Sequence, residues 1–243
     1  MRRCVEAYEV IRLAKYRIAT GPGPFPELLD DEVIVLIDTL RASSTIVTAL
    51  SLGIETVIPV LDDEKAFSLR GDSTVISGEA CGVKIAGYDI GNSPVELIKT
   101  YRQRPFLNLV LKTSNFIPIL VSLPRAVVCS TLNLAAVARF LDARDAFIIA
   151  AGGRRGVSED MGAALALGDM LSGVQLGAGG VKSFIEESSA ARHLRGIGYA
   201  EDVEFIARES VFDIVPVYDG QVIRKADMPA ARDEIHAGTG AFR

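Results

Sequence analysis

Short apolar runs rich in valine and isoleucine recur along the chain at 33–37, 56–60, 74–76, 107–112, 126–129, 146–151 and 213–217. These are strand lengths, and apolar character without alternation predicts strands covered on both faces. Helical patterns lie between several of them. Such an order predicts an α/β fold of three layers, with a mixed, mostly parallel sheet and helices on both faces.

Punctuation residues set the predicted helix ends. One helix runs from Ser44 to Gly53, and Asp62-Asp63-Glu64 opens another. Ser93-Pro94-Val95-Glu96 reads as a capping box with proline at the first helical position. Ser130 caps a helix over 131–141 and Ser158 one over 159–172, and helices over 181–195 and 200–209 follow a glycine-rich link at 177–180. The segment DIVPVYDGQVIRK predicts a closing hairpin that turns at Asp219-Gly220. Residues 1–225 are expected to form a single α/β domain, as one body or two lobes, with a loose tail at 226–243.

Composition narrows the class. The 243 residues are 49% hydrophobic and 23% charged, enough for a substantial core. No run of about 18 uncharged apolar residues occurs, and the charges threaded through the first 20 residues suit a short helix or strand better than a signal peptide. A cytoplasmic protein is expected, with no membrane partner. Cys4, Cys81 and Cys129 form no pairing pattern and are expected to stay reduced. The net charge of −5, with basic residues scattered, excludes a nucleic-acid footprint. Any bound anion is therefore small. The apolar content permits a homodimer interface.

The polar knot Asp38-Thr-Leu-Arg41-Ala-Ser43-Ser44-Thr45 lies between a strand and a helix, where free amides at the positive end of a helix dipole favour an anion. Asp38 would repel that anion unless a cation intervenes or the carboxylate does chemistry; a helix cap or an Arg41 partner is the plain alternative. There is no GxxxxGK run, no GxGxxG loop and no DxDxT motif, and the residue six places after Cys129 is Ala135. With only His193 and His236, a Ser-His-Asp triad or histidine metal cluster is excluded as the working chemistry. Carboxylates remain: Asp38, Glu79, Asp89 and the pair Glu159-Asp160, mostly placed after strands. Hard oxygens from separate strand ends suit magnesium with room for a phosphate oxygen.

These motifs together resemble one family, the magnesium-dependent 2-phosphosulfolactate phosphatases of the ComB type, from coenzyme M biosynthesis. The resemblance rests on DTLRASSTIVTAL at 38–50, SGE at 77–79, GYDIGNSPVEL at 87–97, KTSN at 112–115, STLNLAAVA at 130–138, AAGGRRGVSEDMGAA at 150–164 and GYAEDVEFIARESVFDIVPVYDGQVI at 198–223. It implies hydrolysis of a phosphate monoester on a small sulfonated or carboxylated hydroxy acid, with Mg²⁺ as cofactor. By the same resemblance, Asp38, Glu79 and Asp160 stand at the acidic positions. Arg41, Ser43, Ser44, Asn92, Ser93, Thr113, Asn115 and Asn133 stand at the polar ones. The working assignment makes Asp38, Arg41 and Asp160 catalytic and gives the metal to Asp38, Glu79 and Asp160. Thr45, Lys112 and Ser114 join the substrate-binding group.

Attack by a metal-activated water, with Asp38 or Asp160 as base, and attack by Asp38 itself both fit that assignment. The second anionic group of the substrate is expected at the GNSP helix start or the Arg154-Arg155 loop. Two positions depart from the family pattern: Ala80 replaces an arginine, and Phe116 replaces the glycine of a TTNGT segment. Phe116 is expected to narrow the pocket, with Lys112 restoring a charge. A phosphoryl transferase or lyase on the same scaffold, or an anion-binding protein without turnover, are the rival readings.

Overall fold

The computed structural model describes residues 15–21, 23, 25, 27, 29, 32–142, 144–152, 159–173 and 180–227. Its strands are β1 (Tyr16–Thr20), β2 (Val33–Ile37), β3 (Thr56–Pro59), β4 (Thr74–Ala80), β5 (Val83–Lys84), β6 (Asn108–Lys112), β7 (Ala126–Cys129), β8 (Ala146–Ala150), β9 (Pro216–Tyr218) and β10 (Ile223–Lys225). They pair in the order β1-β8-β2-β7-β9-β10-β3-β6-β4-β5. The mixed, mostly parallel sheet agrees with the sequence expectation. The described helices are α1 (Ala42–Ser51), α2 (Asp63–Ser68), α3 (Pro94–Gln103), α4 (Phe116–Val121), α5 (Leu134–Leu141), α6 (Glu159–Leu171), α7 (Gly180–Glu186), α8 (Ser189–Gly196) and α9 (Ala200–Ile206), with a 3₁₀ turn at Thr131–Asn133.

Two parallel blocks make up the sheet. β1, β8, β2 and β7 run one way. β9 is antiparallel to β7, β10 to β9, and β3 to β10, so the parallel block β3-β6-β4 runs the other way. In a flat sheet the carboxyl ends of the two blocks would lie at opposite edges. They meet instead: Asn115, after β6, donates from Nδ2 to Asp38 Oδ2, after β2, at 3.2 Å. The sheet therefore folds along the hairpin and curls about α1.

Burial shows the same arrangement. Every residue of α1 from Ala42 to Leu50 is buried. One core joins α1, α3 and α4 to residues of both blocks, including Leu36, Val57, Leu111 and Val128. Alternate residues of β2, Val35 and Ile37, pack on the other face against α5, α6 and the helices that follow. The period-2 alternation of a strand thus serves two helical layers from one run of apolar residues.

Several boundaries moved. Residues 74–76 extend as β4 to Ala80, so Glu79 lies inside a strand and not after it. The single helix expected over 181–195 is two, because the Ser188 side chain accepts from Ala191 N–H and caps a new start. The run at 213–217 is strand only from Pro216 to Tyr218. The hairpin turns as expected, with Gly220 at φ 99°. Tyr16–Thr20 supply the edge strand β1. The Ser158 cap, the Arg154-Arg155 loop and the tail beyond Asp227 lie outside the described residues.

Candidate active site

A cavity of about 180 Å³ opens where the carboxyl ends of β2, β6, β4 and β8 converge, lined by Asp38, Arg41, Glu79, Asn92, Ser114, Asn115 and Asp160. Gly152, Glu159, Cys81, Gly82 and His193 complete much of its wall. Seven of the residues singled out in the sequence therefore share one pocket. Another hollow of about 390 Å³ lies between Val33, Pro124, Arg125, Phe140 and Arg144 and has Glu32 as its only acid. The chemistry-bearing residues choose the smaller one.

Asp38 is 7% exposed and Asp160 2%. Asp160 is pinned by two backbone amides, accepting from Thr39 N at 2.7 Å and Gly152 N at 2.8 Å. Gly152 is required there: a Cβ at that position would stand 2.6 Å from Asp160 Oδ2. Glu79 is held as firmly, with Oε1 accepting from Ser114 N and Oγ and Oε2 accepting from Gly82 N. Glu159, at the start of α6, joins the group; the sequence shows it beside Asp160, but only the fold turns both acids into the cavity.

Burial pushes the Asp38 carboxyl up to about 7, and the charges of Glu159 and Glu79 push the same way against the Asn115 and Ala42 N–H groups. Burial raises Asp160 well above the usual carboxylate range, with Asp38 and Glu159 adding repulsion, and burial raises Glu159 too. Acids that lift one another share one electrostatic environment, and a cation among them removes the conflict. Among the described residues no group of three or more histidine, cysteine or acidic side chains is placed to hold a metal ion. Magnesium does not require one, since it keeps waters and takes one or two carboxylates with substrate phosphate. Carboxylate oxygens taken singly or in pairs are the donors such an ion uses.

Arg41 forms the opposite wall. Its Nη1 donates to Asp202 Oδ2 at 2.8 Å and its Nη2 to the Gly82 carbonyl at 2.7 Å. The guanidinium also lies over the Tyr199 ring, 4.0 Å from its centroid. The partner of Arg41 is thus Asp202 and not Asp38. Asp202 also accepts from Ser93 Oγ and from Val95 N at the start of α3. Sequence reading missed Asp202, because a buried arginine demands a counter-charge but nothing in the spacing says which acid supplies it. Asn92 Oδ1 is buried with no hydrogen-bond partner among the described residues.

Other assignments change. Ser43 Oγ donates to Asp38 O and Ser44 Oγ to Thr39 O, closing the strand-to-helix turn instead of facing a ligand. Thr45 Oγ1 is buried without a partner among the described residues and lies outside the cavity wall. Ser93 caps α3 through Glu96 N, and Thr113 Oγ1 accepts from Ile117 N inside α4. Asn133 ties Ser130 N to the carbonyls of Val128 and Ile214. Lys112 pairs with Asp63 at 2.7 Å, away from the cavity. Phe116 is fully buried in the core and narrows nothing. Ala80 is exposed at the end of β4. Asp89 is used by Arg70 and Ile76 N. Cys129 is buried, which pushes its thiol up and leaves it unreactive.

The sheet gathers acidic strand ends in one pocket, and the molecule is an α/β protein with a carboxylate-lined cavity. The family model for 2-phosphosulpholactate phosphatase matches residues 24–221, and the chain belongs to that family. It is similar to the probable 2-phosphosulfolactate phosphatases of Thermotoga petrophila, at 35% identity, and Thermotoga maritima, at 33%, each over 80% of this chain and 92% of the relative. The protein of the same name from Clostridium botulinum (strain Eklund 17B / Type B) is 28% identical over 82% of this chain and 94% of its own length. Among the described residues no helix is long and apolar enough to cross a membrane.

Proposed function

We propose that the protein is a Mg²⁺-dependent phosphomonoesterase of the cytoplasm, acting on a small hydroxy acid ester that carries a second anionic group, as in 2-phosphosulfolactate. The observation that carries this reading is the cluster of Asp38, Glu79, Glu159 and Asp160 around one cavity at converging strand ends. Asp38 and Glu79 would hold the magnesium, with Asp160 beside them, and the ion would supply positive charge to the phosphoryl oxygens when bound. Glu79 and Asp160 are fixed by backbone amides, so their oxygens keep their places without reorganisation. Asn115 orients Asp38 at the reacting end. Arg41, locked by Asp202 and the Gly82 carbonyl, offers fixed positive charge to the ester.

The family relationship supports the reaction class, and its relatives' names supply the substrate class. Phosphate release from 2-phosphosulfolactate, measured with Mg²⁺ and with EDTA, tests the reading. We expect release only with the metal. Asp38→Asn should abolish it while leaving the circular dichroism spectrum unchanged, and should also remove the rise in melting temperature that Mg²⁺ gives the wild type. A metal-independent wild-type rate, or an active Asp38→Asn variant, would overturn the assignment.

A further inference from the structure

The substrate class above carries two anionic groups, and the carboxylates and Arg41 account for only one. The two seats expected for the second fare differently. The α3 start is already filled, since Ser93 Oγ and Val95 N both serve Asp202 and Glu96 N serves Ser93. Arg154 and Arg155 lie outside the described residues. Among the described residues lining the cavity, four acids face two groups able to carry positive charge, Arg41 and His193. Arg41 is matched by Asp202, with both side chains almost fully buried.

His193 sits in the last turn of α8, on the wall formed with the β4–β5 hairpin. The hairpin makes its seat. Cys81 at φ 52° and Gly82 at φ 86° turn the chain so that the Cys81 carbonyl faces His193 Nε2 at 3.4 Å. A Cβ at Gly82 would lie 3.2 Å from that same nitrogen, so the ring rests on the glycine. A carbonyl cannot donate, so this contact needs hydrogen on Nε2. Nδ1 has no hydrogen-bond partner among the described residues, and with Nε2 occupied it can donate only as imidazolium. The charged groups that share the cavity with the ring are Arg41, Asp38, Glu79, Glu159 and Asp160, while Arg192 and Arg195 on its own helix donate to the Glu187 and Glu186 carbonyls.

We propose that His193 recognises the second anionic group of the substrate, a sulfonate or carboxylate beside the phosphate-bearing carbon, through Nδ1. The proposal rests on the phosphomonoesterase reading for its substrate class. It makes the α8 wall the specificity side of the cavity and the carboxylate wall the reacting side. The same hairpin links the two, because Gly82 N holds Glu79, Gly82 O holds Arg41, and Cys81 O holds His193.

Two esters separate recognition from folding: 2-phosphosulfolactate, with the second anion, and phenyl phosphate, without it. His193→Ala should raise KM for 2-phosphosulfolactate by about tenfold more than for phenyl phosphate, the scale of one lost charge-assisted hydrogen bond. His193→Lys should restore part of the preference. Equal effects on both esters, or none, would overturn the role. If wild type releases phosphate from neither ester, the phosphatase reading fails, and calorimetric binding of sulfolactate decides the His193 assignment by itself. About tenfold weaker binding in His193→Ala supports it; equal binding, or no binding to wild type, refutes it.

Discussion

Arg41 and Asp202 stand 161 positions apart in the chain, yet Nη1 and Oδ2 lie 2.8 Å apart with their side chains 2% and 1% exposed. The pair is the clamp of the site. Through Asp202 the turn after β2 is joined to α9 and to the start of α3, and through Gly82 O the same guanidinium reaches the β4–β5 hairpin.

Removing the carboxylate leaves a buried, uncompensated charge. Asp202→Ala should lower stability by about 3–5 kcal/mol, as for other broken buried pairs. Urea denaturation checks this. Asp202→Asn, which keeps an acceptor oxygen, should cost less while still raising KM for an anionic ester, because the guanidinium loses its anchor.

The acid cluster gives the metal-free protein a pH dependence of definite sign. The Asp38 carboxyl ordinarily titrates near 3.8 and is pushed to about 7 in the fold. Between those values the native state holds more protons than the unfolded state, so stability falls as pH rises. In EDTA the melting temperature should therefore drop from about pH 4 to about pH 7. Asp38→Asn should flatten that slope, and added Mg²⁺ should reverse the loss at the upper end.

Lys112 offers a contrast. Its ammonium pairs with Asp63 at a partly exposed site outside the cavity. Lys112→Met should change stability by less than about 1 kcal/mol and leave kcat/KM within roughly twofold of wild type. A large rise in KM would return the residue to the substrate site.

Much was readable along the chain. The β2 run, the Gly53 stop, the Ser93 cap and the Asp219-Gly220 turn depend on residues a few positions apart, and periodicity and capping chemistry report such contacts directly. The break at Ser188 was missed because the apolar pattern continues across 181–195, and a serine cap outweighed it. Asp38, Glu79 and Asp160 were legible as acids near strand ends, although β4 runs on past Glu79. The hydroxyls of Ser43 and Ser44 were misassigned because a polar knot at a helix start serves a ligand or its own turn equally well; here the backbone carbonyls of Asp38 and Thr39 are nearer than any ligand.

The sequence by itself determined the α/β class, the strands and most helix starts, the acidic inventory and the family, since these follow from local pattern and from motifs kept in order. Only the tertiary structure decided which groups meet. The antiparallel β9–β10 hairpin reverses one block of strands against the other, and folding the sheet about α1 brought four carboxyl ends together. It gave Arg41 to Asp202, sent Lys112 to Asp63, buried Phe116, and placed Glu159 and His193 on the cavity. Those pairings depend on distances between residues far apart in the chain, which a curled sheet sets and a linear pattern does not contain.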